Sequence, residues 1–449
     1  MLVPIVEIPE SIEEGLRPYR DLFPRSETYE HIKEYCTGMV VLEKPSINRL
    51  GQCLVDGPSQ SSINKAITMS SWSGEEVNER RLELIKVYHK SKGLTIGILD
   101  STLSHHPRGK EKIYGVYKYW DYVEGCYTYA INIVTGAIST KDRCDGYDYR
   151  IYHRFNREEE IEELQKEKAS LEEGNKEQLI SYIKDLIEYH KKEKGFKKKS
   201  EYAVEIIEEM EESEVSPNVY VVDSGLFDPV LIEAIESYDK PWVADSQKSR
   251  IVFAAGKRYN CEEYEKSLSD KAFRSYTIKI RGKERTFWVF TKTVRIKRYG
   301  KVRIAIIYTN PNREGDPIYC FTKMLTWDAK KILSVRYHRW DIEPFHEQIK
   351  QFLGAEDSQL QTEEGVRNHL TLVFLVNSLL LSLDLRKPIG GLSMDGFEED
   401  VQVTFGQRCR RIIFEVFYDL IETIRSWIED SKMTVSEVFE ILFRRLLYA

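Results

Sequence analysis

The chain has 449 residues, enough for about two to four cored units, which excludes a small scaffold that needs disulfide or metal staples. Its formal net charge is −7, with 66 Lys and Arg against 73 Asp and Glu, which excludes a uniformly basic nucleic-acid binder. Charge is unevenly placed, however: Lys240 to Arg303 carries 18 basic against 6 acidic residues, whereas Glu201 to Glu214 holds seven glutamates and no basic residue. Seven scattered cysteines, never paired as CxxC, point to neither a disulfide framework nor a cysteine-built zinc site. A reducing compartment is therefore expected. The first ten residues lack the basic start and apolar run of a signal peptide.

Residues 1–90 alternate helical patterns with Pro and Gly punctuation. Ile47 to Val55 and Ser61 to Ile67 flank Asp56-Gly57-Pro58, an arrangement compatible with a helix-turn-helix or with a plain helical bundle. The apolar run Leu94 to Leu99 predicts a central strand that ends at Asp100, and Cys126 to Val134 predicts a second strand. Residues 157–214 are highly charged and helix-forming. Asn218 to Val222 predicts a buried strand ending at Asp223, and Trp242-Val243-Ala244 a short one. Within 246–320, the runs Tyr276 to Ile280, Thr286 to Phe290 and Val302 to Tyr308 are separated by Arg281-Gly282-Lys283 and Tyr299-Gly300, which predicts β-hairpins in the basic segment.

Thr326 is a candidate cap for a helix that leads through Pro344. Leu370 to Leu385 is apolar but interrupted by Asn377, Ser378, Ser382 and Asp384, so it reads as a buried helix rather than a membrane span. Residues 386–449 predict a helical tail. The pattern thus changes from helical at 1–90, to an α/β mix of strands and helices at 91–245 and 321–385 on either side of a hairpin-like basic stretch at 246–320, to helical at 386–449.

The densest chemistry lies in Arg336 to Lys350. Arg339, Glu343 and Lys350 stand at offsets of four and seven, which stacks them on one helical face. Such a row is also what a salt-bridged solvent face looks like. Two further carboxylates raise its significance. Asp100 and Asp223 each follow an apolar strand, and ligands of open α/β sheets gather at that edge. Three carboxylates in one small space repel, and divalent ions relieve that repulsion. Mg²⁺ favours carboxylate and water oxygens, and a pair of such ions can activate and steady the oxygens exchanged in phosphodiester transfer.

The residues Asp100-Ser101-Thr102, Val222-Asp223-Ser224 and Tyr337-His338-Arg339-Trp340-Asp341-Ile342-Glu343, with Phe345-His346 and Lys350, resemble insertion-sequence DDE transposases with the tyrosine-arginine-glutamate-lysine signature. Phe352-Leu353-Gly354 and Arg367-Asn368-His369-Leu370 extend the likeness. The resemblance implies a ribonuclease H-like core with a β-rich insertion, in which Asp100, Asp223 and Glu343 are catalytic and hold the metal. Two Mg²⁺ ions are expected, with Mn²⁺ able to substitute. Arg339 and Lys350 would contact DNA phosphates. The family pattern places tyrosine three residues before the arginine, where this chain has Arg336, with Tyr337 one position later. Both are carried as candidate DNA contacts.

Arg108 and Lys110, in the His105-His106 loop, are candidates for phosphate, with a plain basic loop or histidine metal ligation as other readings. Trp288 is a candidate for stacking on an unpaired base, with a strand-core role as its alternative. The expected partners are double-stranded DNA, the terminal inverted repeats of a mobile element and target DNA, with a homodimer in the active assembly and no membrane. The expected setting is cytoplasmic and nucleoid-associated. A metal-dependent nuclease without strand transfer, or an inactive DNA-binding relic, would fit the same residues.

Overall fold

In a computed structural model, residues 3–89, 93–109, 112–153, 161, 164–166, 168, 169, 171, 177–192, 197–280, 283–392 and 403–447 are described. Lys110, Arg281 and Gly282 lie outside them. Five N-terminal helices, α1 (Glu10–Leu16), α2 (Ser26–Val41), α3 (Ile47–Cys53), α4 (Gln60–Thr68) and α5 (Gly74–His89), precede the sheet. Ser46 and Ser59 cap α3 and α4 by accepting from Arg49 N and Ser62 N, and Asp56 takes a positive φ of 52° in the turn between them.

The first strands are β1 (Ile96–His105), β2 (Val116–Asp121), β3 (Cys126–Ser139) and β4 (Cys144–Tyr152). Helices α6 (Glu177–Lys192) and α7 (Lys199–Glu212) lead to β5 (Val219–Val222), α8 (Pro229–Ser237) and β6 (Trp242–Ser246). β3 runs antiparallel to β1 on one edge and to β2 and β4 on the other, while β5 and β6 continue in parallel from β1. The basic segment adds β7 (Ile251–Ala254), β8 (Lys257–Asn260), the short helix α9 (Cys261–Lys266), β9 (Arg274–Ile280), β10 (Lys283–Ile296), β11 (Gly300–Tyr308) and β12 (Ile318–Thr322). Its last strand pairs with β6, Phe321 opposite Ala244, so core and insertion share one mixed sheet. The limits at 246 and 320 mark a change of composition; the hydrogen-bonded ladder runs through them.

Alternation in the strands builds two cores. Ile96, Ile98, Val219, Val221 and Val243 point to one face, and Leu99, Tyr220, Val222, Trp242 and Ala244 to the other. The first face is covered by N-terminal helices and by α10 (Ala329–Tyr337), α11 (Ile342–Glu347), α12 (Glu363–Ser382) and α13 (Phe405–Glu429); α7 and α8 cover the second. A last helix, α14 (Val435–Leu447), follows. The apolar Leu370 to Leu385 run is the buried body of α12, and no described helix is long and apolar enough to cross a membrane.

Three local expectations need correction. β1 continues five residues past Asp100, because its antiparallel ladder with β3 persists to His105 opposite Ala130 after the parallel ladder with β5 has stopped at Leu99 opposite Val222. The cap of α10 is Asp328, whose carboxylate accepts from Lys331 N, rather than Thr326. The Arg336 to Lys350 stretch is not one regular helix either. It passes from α10 into a 3₁₀ turn at His338–Asp341, then α11, then a π turn at Gln348–Phe352. Pro344 has no N–H to give the Trp340 carbonyl, so the regular ladder breaks there.

Candidate active site

The register explains why the carboxylates meet. Leu99 pairs with Val222, and Val222 with Ala244, so the next residues, Asp100, Asp223 and Asp245, form a row across three parallel strands at one sheet edge. Adjacent strands lie about 4.8 Å apart, which crowds three acidic groups. Glu343, at the start of α11, faces the row. Two contacts seat that helix on the sheet: His346 Nε2 is 2.8 Å from Thr135 Oγ1, and Thr135 is the β3 partner of Asp100. Ser139 Oγ donates to Asp341 Oδ2 at 2.7 Å, fixing the 3₁₀ turn. Beneath them Phe345 meets Phe374 edge-on at 5.0 Å, with Gly146 of β4 directly against both rings.

One guanidinium sits among the acids. Arg339 Nη1 lies 3.3 Å from Asp223 Oδ1, 3.6 Å from Asp100 Oδ2 and 3.6 Å from Glu343 Oε1. Three carboxylate oxygens that share one nitrogen as neighbour cannot be farther apart than twice those contacts. The predicted triad is thus brought together. Asp100 is the most buried member, and burial first, then the Asp223 charge, pushes its carboxyl up to about 7, with Arg339 opposing. Glu343 stays half exposed.

The donor chemistry fits a hard divalent cation, since three oxygen acids converge on a volume held by one positively charged nitrogen. As arranged, though, no group of three or more His, Cys, Asp or Glu among the described residues forms a metal-holding cluster, and the Arg339 guanidinium lies between the three acids.

The remaining predicted residues separate. Lys350 lies on the π turn, 3.9 Å from Glu356, and burial lowers its pKa while Glu356, Asp121, Glu343 and Asp100 oppose the shift. It therefore lies near the same acidic edge. Arg336 corrects an expectation: its side chain is buried, with Nε and Nη2 each donating at 2.7 Å to the two oxygens of Asp245, so its fork is spent inside rather than on DNA. Tyr337 is half-buried and packs on Phe287 at 4.8 Å. Trp288 is half-buried on β10 against the second core, as a strand-core residue would be. Arg108 is exposed. Both ring nitrogens of His105 are taken by Asp121 and Glu356, at 2.7 and 3.0 Å, and His106 Nε2 faces Ser104 Oγ at 3.2 Å.

Sequence reasoning missed two residues. Asp245 ends an apolar run just as Asp100 and Asp223 do, so the same signal was present in Trp242-Val243-Ala244-Asp245. Lys199, at the start of α7, donates to Ser101 Oγ at 3.2 Å, and burial lowers its pKa against the pull of Asp100 and Asp223. Nothing local in the sequence marks it.

Residues 185–379 match the family model described as transposase DDE domain. The match contains Asp223, Asp245, Arg339 and Glu343 but not Asp100, and it spans less than half of the chain. It supports a DDE transposase, an enzyme acting on DNA, and DDE transposases are generally dependent on divalent metal. A comparison with curated proteins gave no match.

Proposed function

We propose that the chain is a cut-and-paste transposase that binds the ends of a mobile element, cleaves them with divalent metal, Mg²⁺ first and Mn²⁺ as substitute, and joins the 3′ ends to target DNA. The observation that carries this reading is the convergence of Asp100, Asp223 and Glu343 on a single guanidinium nitrogen from three separate parts of the chain. A β4–β3–β1 antiparallel meander continued by parallel β5 and β6 supports a ribonuclease H-like core.

The three carboxylates would hold the metal, which supplies Lewis acidity to the reacting phosphodiester. Lys350 and Lys199 flank the edge and would draw the scissile phosphate to it. Exposed Lys283, Arg285, Lys292, Arg295, Lys297 and Arg298 on and after β10 would track the DNA backbone, and α3–α4 would contribute to end recognition. Two ends must be held together, so a homodimer is the proposed active assembly.

The test is incubation of the full chain with Mg²⁺ and labelled element ends, identified as matched inverted repeats flanking the coding region. Joined products are expected, and Asp100→Asn, Asp223→Asn or Glu343→Gln should each reduce them by at least a hundredfold, on the order of what loss of a central electrostatic group costs. Hydrolysis without joining would leave a nuclease. Unchanged processing by all three variants would remove the triad.

A further inference from the structure

We propose that Asp245 is a positioning residue which keeps the Arg339 guanidinium as an internal counter-ion among the three carboxylates and receives it when a divalent cation enters. The inference rests on the reading of Asp100, Asp223 and Glu343 as the cation site.

Two arginines on one helical turn share the Asp245 carboxylate, and they share it unequally. Arg336 is locked, with two aligned 2.7 Å hydrogen bonds in a fork. Arg339 is spread over four acids with no contact shorter than 3.1 Å, the distance from its Nε to Asp245 Oδ2. That Nε is buried and finds no aligned acceptor, so its ion pair with Asp245 is incompletely made. A guanidinium held loosely by several groups can move at small cost, whereas one held in a fork cannot.

The competition has a direction. A cation that takes the oxygens of Asp100, Asp223 and Glu343 removes three of the four partners of Arg339 and repels what remains. Asp245 is the fourth partner and is already within 3.1 Å, while the Trp340 ring lies 5.1 Å from the guanidinium carbon and offers a π face. A small rotation would complete the Nε–Asp245 hydrogen bond as Nη1 leaves the triad. Arg336 keeps Asp245 oriented throughout, since it donates to both of its oxygens. The two guanidinium groups offset part of the charge of four clustered acids in the cation-free chain, and the loosely held one leaves the oxygens of the other three open to an ion.

The test measures Mn²⁺ binding to the DNA-free full chain by electron paramagnetic resonance, with circular dichroism confirming the fold of each variant. Arg339→Gln removes the competitor and should tighten Mn²⁺ binding about tenfold. Asp245→Asn removes the receiving group and should weaken it about tenfold, and Asp245→Glu should restore most of the loss. In the Asp245→Asn, Arg339→Gln double variant the aspartate change should have no further effect, because there is no guanidinium left to place. If Asp245→Asn weakens binding equally with and without Arg339, or if Arg339→Gln weakens it, the inference is wrong while the cation site stands. If Mn²⁺ is bound by none of the folded variants nor by the unaltered chain, the carboxylate reading falls and takes the inference with it. Should Asp245→Asn fail to fold, Arg339→Gln alone decides between tightening and weakening.

Discussion

Arg336 and Asp245 meet inside the protein, where breaking a charge pair costs more than the pair itself contributes. Arg336→Met leaves a carboxylate facing Arg339 alone and is expected to destabilise the fold by about 3 to 5 kcal/mol, read as a lowered denaturant midpoint at unchanged slope. The Asp245→Asn, Arg336→Met pair should be less damaging than Arg336→Met alone, because no buried charge is left unmatched; additive losses would show that the two do not act as a unit. At this scale the sequence was partly legible. Glu343 and Arg339 could be paired from spacing alone, since a 3.6 Å contact at i, i+4 is what helical geometry delivers. The partner of Arg336 lies 91 residues away on β6, and no local pattern points to it.

At the scale of elements, packing beneath α11 holds Glu343 at the sheet edge. A Cβ on Gly146 would collide with the Phe345 and Phe374 rings, so Gly146→Val should push α11 outward. Both a lower thermal midpoint and a loss of end cleavage larger than the stability loss explains are expected; full cleavage by a destabilised variant would show that α11 has room to move. A second element-level prediction concerns buried histidines. His369 of α12 bonds Tyr35 Oη at 2.9 Å and is held to about 3, and His106, just after β1, to about 4, burial being the main cause in both.

Their pKa values lie below the ordinary 6.5, so the unfolded chain binds more protons than the folded one once pH falls beneath that value. Stability is therefore full above about pH 6.5 and is lost as pH drops toward the folded values. His369→Gln should flatten the decline of thermal midpoint between pH 6.5 and 4; an unaltered slope would place the acid sensitivity elsewhere. Strands β1, β3, β5, β6, β9, β10 and β11 were legible as apolar or alternating runs. By contrast β2, β4, β7, β8 and β12 were not singled out; the mixed patterns of β2 and β4 become strands only when β3 presents a ladder to pair with, while β12 is a five-residue, largely apolar run.

The whole molecule is tied across its length by Glu415 of α13, which accepts from Ser11 N at 2.9 Å, Ser11 Oγ at 2.6 Å and Arg411 Nε at 2.8 Å. These groups are buried, so the first and last helical regions support each other. Ending the chain after residue 385 should leave Ser11 N without its acceptor, expose the apolar side of α1 and α2, and lower the thermal midpoint. Glu415→Ala should reproduce part of that fall, with increased amide exchange in α1 as well as α13; exchange confined to α13 would show that the two regions are independent. The helical character of 1–90 and 386–449 was readable from periodicity. Their shared packing was not, since it joins residues 404 positions apart.

The sequence by itself determined the chemistry: which acids close apolar runs, where a glutamate follows an arginine by one helical turn, and where positive charge collects. These are local facts, set by strand alternation and by 3.6 residues per turn. Only the tertiary structure decided how those residues are used. Strand register put Asp245 in line with Asp100 and Asp223, the segment carrying Lys350 became a π turn instead of a regular helix, and burial turned Arg336 inward. The physical reason is range: hydrogen-bond register and burial depend on partners distant along the chain, and a guanidinium takes whichever carboxylate the fold places within reach.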